Sequence, residues 1–582
     1  MVDLDFDGNG RAELPVSSPT AFGLLELDGS SLTARVNASN GTWFGGWNLE
    51  TPDNRFGPIG DFDGDGRVEL AISSNWGVGL LKRSGATMTP LMLAPNGTWF
   101  DGWNFQTHDD HFERALDLDG DGRDEILVTS PWGLGFLHFT GGALHTLGMW
   151  PNGQRFGGWL LNTADNRFGP HGDFDGDGRD EVLISSPWGI GIFDLQGTTP
   201  TAVAMAPNGT RLGGQWLLGT DVNFFRHAFD VDGDGKDELL VTSPWGIGIL
   251  KLVGNALTPI FMAANGTRLG DWVIDTSNNH FGPVGDFDGD HAEELFISSP
   301  WGVGVLEWSG GTLRSSVMAA NGVRVGGWIV DTRNNRFSRA ADYDGDGRIE
   351  ILSSSPWGIG MLKQSGATFT TPLMAANGTN AGGWTINSAD DRYGVRTDTI
   401  DEVTIHFKSL LTPTATVMSY LDQQFKDLEQ LYADCGIAAY RGTFEDLSTN
   451  PAMASLVSLD VGDCLLGSTT SEQNTLFAAR NNAASNDLVV YLAQTLVGGA
   501  GNFVGCAAHP DAQPGAAIVQ ANGRWLLAHE IGHVLGLRHV DSSVPTNSDF
   551  LMWPTIGWTN TPPDLAVSEA STMLASALSR AE

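Results

Sequence analysis

Apolar positions in the first two thirds of the chain come in short runs that break at glycine, proline, asparagine or aspartate. A block such as Ser186-Pro187-Trp188-Gly189-Ile190-Gly191-Ile192 is followed by a turn such as Asn208-Gly209 and then by a Gly-Gly-Trp segment. Short runs bounded by turn residues predict strands. Between them the pattern D-x-D-G-D-G-R-x-E recurs from Asp5, Asp61, Asp117, Asp173, Asp230, Asp286 and Asp342, at spacings of 56, 56, 56, 57, 56 and 56 residues. A unit of this length with several strands predicts one four-stranded blade of a β-propeller, and seven copies predict seven blades. Near residue 395 the periodicity changes. Val403 to Phe407 reads as a strand, and Pro413 to Ala433, with Met418, Leu421, Phe425, Leu428 and Leu431 at helical spacing, as an amphipathic helix. Asn486 to Leu492 reads as a buried strand, and Trp525 to Leu535 as a second helix. The expected organisation is multidomain: an all-β propeller over 1–394, followed by an α+β domain over 395–582.

The repeat is cut unevenly at its ends. The half-blade that should precede Asp5 is missing there, and a half-blade from Asn377 to Tyr393 is left over. Pairing of residues 377–393 beside residues 3–30 would close the ring and remove two exposed strand edges.

The aspartate loops carry candidate metal ligands at positions 1, 3, 5 and 9. They are Asp5, Asp7, Asn9 and Glu13; Asp61, Asp63, Asp65 and Glu69; Asp117, Asp119, Asp121 and Glu125; Asp173, Asp175, Asp177 and Glu181; Asp230, Asp232, Asp234 and Glu238; Asp286, Asp288, Asp290 and Glu294; and Asp342, Asp344, Asp346 and Glu350. Hard oxygen donors in a glycine-bent loop suit Ca²⁺, up to seven ions in a structural role. An EF-hand needs its glutamate at position 12, so the loop is of another kind. It resembles the calcium loops of integrin-α-type (FG-GAP/VCBS) propeller repeats. Charge supports a ligand role. Of 49 acidic residues before Val395, 27 occupy these positions, leaving 22 against 24 Lys and Arg, so much of the net charge of −37 is concentrated in the loops. Two copies deviate: Asn9 replaces an aspartate, and His291 replaces the second glycine and is expected to weaken its loop.

Tryptophan recurs twice per repeat. One set is Trp76, Trp132, Trp188, Trp245, Trp301 and Trp357; the other, after the glycines, is Trp47, Trp103, Trp159, Trp216, Trp272, Trp328 and Trp384. The second set reads as packing between blades. The strings S-P-W-G-I-G-I and N-R-F-G-P-x-G-D-F-D-G-D-G-R resemble the calcium-bearing seven-bladed mushroom lectins of the Psathyrella velutina type. That resemblance implies N-acetylglucosamine-type or sialylated glycans as ligands, bound between blades. An aromatic face with amide and guanidinium donors would serve a sugar, which makes the first set, with Asn54, Arg55, Asn166, Arg167, Asn335 and Arg336, the candidate glycan residues.

Residues 529–539 read H-E-x-x-H-x-x-G-x-x-H. At i and i+4 on a helix, His529 and His533 share a face, and Gly536 lets the chain turn so that His539 can supply a third nitrogen to one Zn²⁺. With Met552 thirteen positions later, the motif resembles the metzincin clan of zinc peptidases. The resemblance implies a zinc metalloendopeptidase with Glu530 as general base, Met552 as a structural Met-turn, and Ala516 to Gln520 as the edge strand that receives a protein substrate. No tyrosine follows Tyr491, so the supplementary tyrosine of some metzincins is missing. Cys435, Cys464 and Cys506 permit one disulfide and leave an odd thiol. No apolar run reaches the ~20 residues of a membrane span, nothing indicates nucleic acid, and the oligomeric state stays open. The chain shows no signal peptide; calcium loops suit an extracellular or released protein, with cytoplasmic storage as the alternative. The expected partners are glycoproteins or cell-surface glycans. The alternatives are a lectin or adhesion protein with an inactive peptidase domain, or a protein-binding integrin-like propeller.

Overall fold

The computed structural model describes residues 4–18, 20–51, 54–74, 76–107, 110–130, 132–163, 166–186, 188–197, 199–220, 223–243, 245–276, 279–332, 334–355, 357–388, 391–394, 401–433, 437–481, 483, 487–499, 501–521, 523–540, 542–543 and 550–555, with isolated positions between 563 and 581. The chain divides into two compact units, Met1–Thr399 and Ile400–Glu582.

The first unit is a seven-bladed all-β propeller. Blade two runs through strands Arg55–Gly60, Glu69–Ser74, Gly77–Ser84 and Thr87–Pro95, each antiparallel to the next, and blades three to seven repeat this order. Blade one takes three strands from the N-terminus, Glu13–Ser18, Ala21–Asp28 and Ser31–Ser39, and its fourth, Arg392–Tyr393, from the far end of the unit. Val16 pairs with Tyr393 and Ser17 with Arg392, so a strand edge that would otherwise be open is covered.

A circle of hydrogen bonds runs from blade to blade beneath the aspartate loops. The N–H groups of Val68, Asp124, Asp180, Asp237, Glu293, Ile349 and Ala12 donate to the carbonyls of Asp5, Asp61, Asp117, Asp173, Asp230, Asp286 and Asp342, at 2.8–3.1 Å. The last of these joins blade one to blade seven. Sequence explains the close fit: a side chain at Gly135, in the W-G-x-G segment of blade three, would collide with the ring of Trp103. Trp47, Trp103, Trp159, Trp272 and Trp384 are buried, as packing between blades requires.

The second unit is built on a mixed sheet. We label Asp401–Ser409 β1, Ala415–Ala433 α1, Ile437–Asp446 β2, Ser471–Phe477 α2, Leu488–Ala493 β3, Gly505–Cys506 β4, Gly515–Val519 β5, Leu526–Val534 α3 and Arg580–Ala581 β6. The sheet order is β2-β1-β3-β5-β4, with β6 also pairing β1. The strands β2, β1, β3 and β5 run parallel, and β4 is antiparallel. The segment expected as the edge strand therefore lies inside the sheet: β5 is flanked by β3 and β4, because two residues after the Thr495–Phe503 hairpin turn back along it. Leu421, Phe425, Leu428 and Leu431 of α1 pack with Leu526, Leu527 and Ile531 of α3 in one core. A disulfide joins Cys464 to Cys506 with a Cα–Cα distance of 5.7 Å; Cys435 lies outside the described residues. Among the described residues no helix is long and apolar enough to cross a membrane.

Candidate metal centres and exposed tryptophans

In blades two to seven the aspartate loop links the first and second strands, in blade one it precedes Glu13–Ser18, and local hydrogen bonds shape it. In blade two, Gly64 N–H donates to Asp61 Oδ1 (2.7 Å), Gly66 N–H to Asp61 Oδ2 (2.8 Å) and Phe62 N–H to Glu69 Oε2 (3.0 Å). Gly64 and Gly66 have φ of +73° and +79°, which glycine adopts without the penalty of a Cβ. Blade six keeps the same form with His291 at φ +75°, its N–H donating to Asp286 Oδ2 (3.0 Å). The four carboxylates Asp61, Asp63, Asp65 and Glu69 present oxygens within 4.8 Å of one another, as do Asp286, Asp288, Asp290 and Glu294, and Asp342, Asp344, Asp346 and Glu350; in blade one Asp5, Asp7 and Glu13 do so. The glutamates are buried, and in blade one Asp5 is buried with Glu13. Burial pushes the Glu125 and Glu181 carboxyls up to about 8 and that of Glu294 up to about 9. Glu181 Oε1 is buried with no hydrogen-bond partner. A buried acceptor left in this way is costly unless a cation or donor meets it, so the donor set fits a hard cation.

Sequence reading passed over the residues that face these glutamates across the hairpin. Thirteen positions after each loop glutamate stand Glu26, Lys82, His138, Asp194, Lys251, Glu307 and Lys363. Register places Glu13 opposite Glu26 and Glu350 opposite Lys363. The signal lay in the repeat alignment: a position whose charge changes sign from blade to blade while the glutamate thirteen residues before it is kept in all seven.

The first tryptophan set sits at the other end of each blade. The second strand runs from the loop glutamate to the turn carrying Trp76, Trp132, Trp188, Trp245, Trp301 or Trp357. These six rings are 42–64% exposed. Trp76, Trp132 and Trp188 lie against the buried Trp47, Trp103 and Trp159, with ring centroids 4.3, 4.2 and 4.2 Å apart, and Trp301 lies 6.5 Å from Trp272. The asparagines expected beside the sugar are buried braces. Asn54 Oδ1 accepts from Trp47 Nε1 (3.2 Å) and Glu50 N (2.9 Å); Asn166 and Asn335 hold Trp159 and Trp328 in the same way, at 3.1 and 3.0 Å. Arg55 is partly buried within its strand; the side chains of Arg167 and Arg336 lie outside the described residues.

In the second unit the three histidines converge. His539 Nε2 lies 3.2 Å from His529 Nε2 and 3.1 Å from His533 Nε2. Helix α3 supplies the first two; Gly536, at φ +107°, turns the chain that brings back the third. The Nδ1–H of His529 donates to the Leu551 carbonyl (2.9 Å) and that of His533 to the Leu537 carbonyl (2.8 Å). Those bonds hold both rings in the tautomer whose Nε2 can ligate a metal. Burial holds His529 down at about 3 and lowers the other two, so all three are neutral near pH 7. Three neutral imidazoles meeting at one point fit Zn²⁺. Glu530 is buried, its carboxyl pushed up to about 8 by desolvation, and a side chain at Gly505 of β4 would collide with it. Met552 is fully buried against Gly532, below the histidines.

No protein-family model matches the chain, and no curated protein matches it. Among solved structures it is similar to an Agrocybe aegerita lectin described as recognising non-reducing terminal N-acetylglucosamine, at 17% identity and TM-score 0.45, over 67% of this chain and 96% of that one. It is also similar to the periplasmic gluconolactonase PpgL of Pseudomonas aeruginosa, at 12% identity and TM-score 0.36, over 66% and 99% of the two chains. A third is a 6-phosphogluconolactonase-type protein of Bacteroides uniformis, at 11% identity and TM-score 0.35, over 66% and 99%.

The zinc endopeptidase expectation is corrected here. The larger unit of the chain is an all-β propeller and not a metzincin, so the chain is not assigned as a metzincin endopeptidase. The histidine cluster that prompted the expectation has the geometry of metal binding, and metal binding does not by itself establish hydrolysis.

Proposed function

We propose that this protein is a multivalent glycan-binding propeller stabilised by calcium. The observation that carries the reading is the exposed tryptophan repeated at the same turn of six blades, three of them backed by a buried tryptophan ring. A single exposed apolar side chain needs no explanation, but six indoles at the same turn of successive blades, each two-fifths or more exposed, form a series of aromatic platforms of the kind sugars stack on. The resemblance to Psathyrella-type lectins favours N-acetylglucosamine-type or sialylated ligands, on glycoproteins or cell surfaces, met outside the cell or after release from it. Several weak, equivalent sites gain strength together on a dense surface.

Calcium and sugar would occupy opposite ends of each blade, so calcium acts through the fold and not as a bridge to the ligand. The aspartate loops, related to those of integrin-α-type repeats, would hold it. In the second unit His529, His533 and His539 would hold one Zn²⁺, tying α3 to the segment after Gly536. The test is a glycan array followed by titration calorimetry on the full chain. Wild type is expected to bind, and replacing Trp76, Trp132, Trp188, Trp245, Trp301 and Trp357 with alanine to abolish binding while calcium content is unchanged. Undiminished binding by the folded variant, or no glycan above background for wild type, would end the lectin reading.

A further inference from the structure

The seven aspartate loops are nearly identical in sequence, yet their buried glutamates have different neighbours. In blade two Lys82 Nζ lies 2.6 Å from Asp63, 2.7 Å from Asp65 and 2.9 Å from Glu69. In blade five Lys251 Nζ lies 3.0 Å from Asp232, 2.8 Å from Asp234 and 2.6 Å from Glu238. In blade seven Lys363 Nζ lies 2.5 Å from Asp344, 2.8 Å from Asp346 and 2.5 Å from Glu350. Each ammonium touches the carboxylates at positions 3, 5 and 9 together, where a metal ion would sit. Blade one achieves the same differently. Its cross-strand residue is Glu26, bound by Arg35, but Arg83 of blade two reaches over to Asp7 (2.6 Å) and Glu13.

In the other three loops no described cation touches the carboxylates at positions 3, 5 and 9 together; in blade four Lys236 Nζ donates instead to the backbone carbonyl of Asp175, outside the carboxylate set. Opposite Glu181 stands Asp194, itself buried; Glu181 Oε1 is buried without a hydrogen bond, as are the Oε1 atoms of Glu69, Glu238 and Glu350, but those three meet a lysine ammonium and Glu181 meets none among the described residues. In blade six Glu307 faces Asp288 and Asp290, and in blade three the position holds His138. Arg179 touches Asp177 and lies 3.3 Å from Asp194, but it does not reach Glu181. Arg67 and Arg348 make the same outer contact in loops already filled by lysine, so that contact does not distinguish the two classes.

We propose that the loops of blades one, two, five and seven are closed by cations of the chain itself, and that Ca²⁺ enters only the loops of blades three, four and six. A divalent ion entering a lysine-filled loop would meet an ammonium within a few ångströms, and like charges at that range repel strongly in a partly buried site. In blades four and six an added carboxylate supplies the further oxygen that calcium's six to eight ligands call for. The inference rests on the calcium reading above and separates from it experimentally.

The experiment is equilibrium dialysis of the full chain against Ca²⁺ with zinc held constant, with bound calcium read by atomic emission. Wild type is expected to hold three ions, and the K82Q/K251Q/K363Q variant to double that to six. Asp194→Lys should lower three to two, which keeps a test in hand if the triple variant does not fold. Seven ions in wild type would leave the calcium reading standing and overturn the division of the loops. A count unchanged by either substitution in folded protein would overturn it as well. No bound calcium in any of the proteins would overturn the calcium reading itself.

Discussion

The two kinds of candidate metal centre in this chain gather their ligands by opposite means. In the propeller, hard oxygens are concentrated in a short loop, and the loop is copied seven times with small changes. In the second unit, three soft-borderline nitrogens are assembled once, from a helix and the turn that follows it. Repetition allows individual copies to drift, so that the carboxylates of some loops meet a lysine or arginine of the chain while those of others do not. A single site has no such latitude, because each histidine is held by a particular carbonyl or turn.

The sharpest way to break that comparison is to remove one ligand from each kind of site. His533→Ala deletes one of three converging nitrogens, and zinc affinity is expected to fall by more than the ~10–100-fold that loss of an outer partner costs. Calcium content should not change. Zinc retained through dialysis at the wild-type level would show that the three nitrogens do not form the site.

The next effect is a difference of sign with pH in metal-free protein. An unfolded glutamate ionises near 4.5, whereas burial raises Glu125 and Glu181 to about 8 and Glu294 to about 9. Their ionisation therefore opposes folding, and stability around the loops should decline as pH rises from about 4.5 towards 8–9. His529 behaves in the reverse sense. Its ordinary value of 6.5 is lowered to about 3, so its contribution is complete above 6.5 and is lost as pH falls towards 3. Hydrogen exchange in a chelator, followed peptide by peptide, should show faster opening of the blade-three, -four and -six loops at pH 9 than at pH 5, and faster opening of α3 at pH 3 than at pH 4, a range in which Glu530, pushed up to about 8, is largely protonated folded or unfolded and only the histidine trend remains. Added Ca²⁺ should flatten the first trend only. Parallel trends in both regions would remove the contrast.

Much of the fold was legible because the repeat is long-period and strict. Seven copies of one loop at a spacing of 56 or 57 residues leave little but a seven-bladed ring. The strand at Val403 and the helices at Pro413 and Trp525 also stood out, since their apolar spacing is set by packing on one core. Other features depend on what a side chain meets across the sheet. Asn54, Asn166 and Asn335 read as free amide donors, whereas their oxygens brace the buried tryptophans. The β4 strand is two residues long, too short for periodicity to reveal, so nothing in the sequence corrected the edge position that the metzincin resemblance implied for β5. Lys82, Lys251 and Lys363 looked like ordinary strand lysines until register set them opposite the loop glutamates.

The smallest effect tests how tightly the repeat holds its own geometry. His291 occupies the second glycine position of the blade-six loop at φ +75°, where Gly66 and Gly122 sit at +79° and +80°. Its backbone N–H still donates to Asp286 Oδ2 at 3.0 Å, as Gly66 N–H does to Asp61 at 2.8 Å. The loop has thus imposed the left-handed conformation on a residue with a Cβ, at a cost of about 1–2 kcal/mol. The exposed ring recovers little of it: Nδ1 lies 3.8 Å from Asp286 Oδ2, and the side chain is 96% exposed. His291→Gly should relieve that strain, less the roughly 0.5–1 kcal/mol that glycine's freedom in the unfolded chain takes back. A net gain of about 0.5–1 kcal/mol follows, with calcium affinity of the blade-six loop little changed. Denaturant unfolding of the two proteins at one calcium concentration measures it, and a less stable glycine variant would show that the imidazole has a role the contacts around it do not reveal.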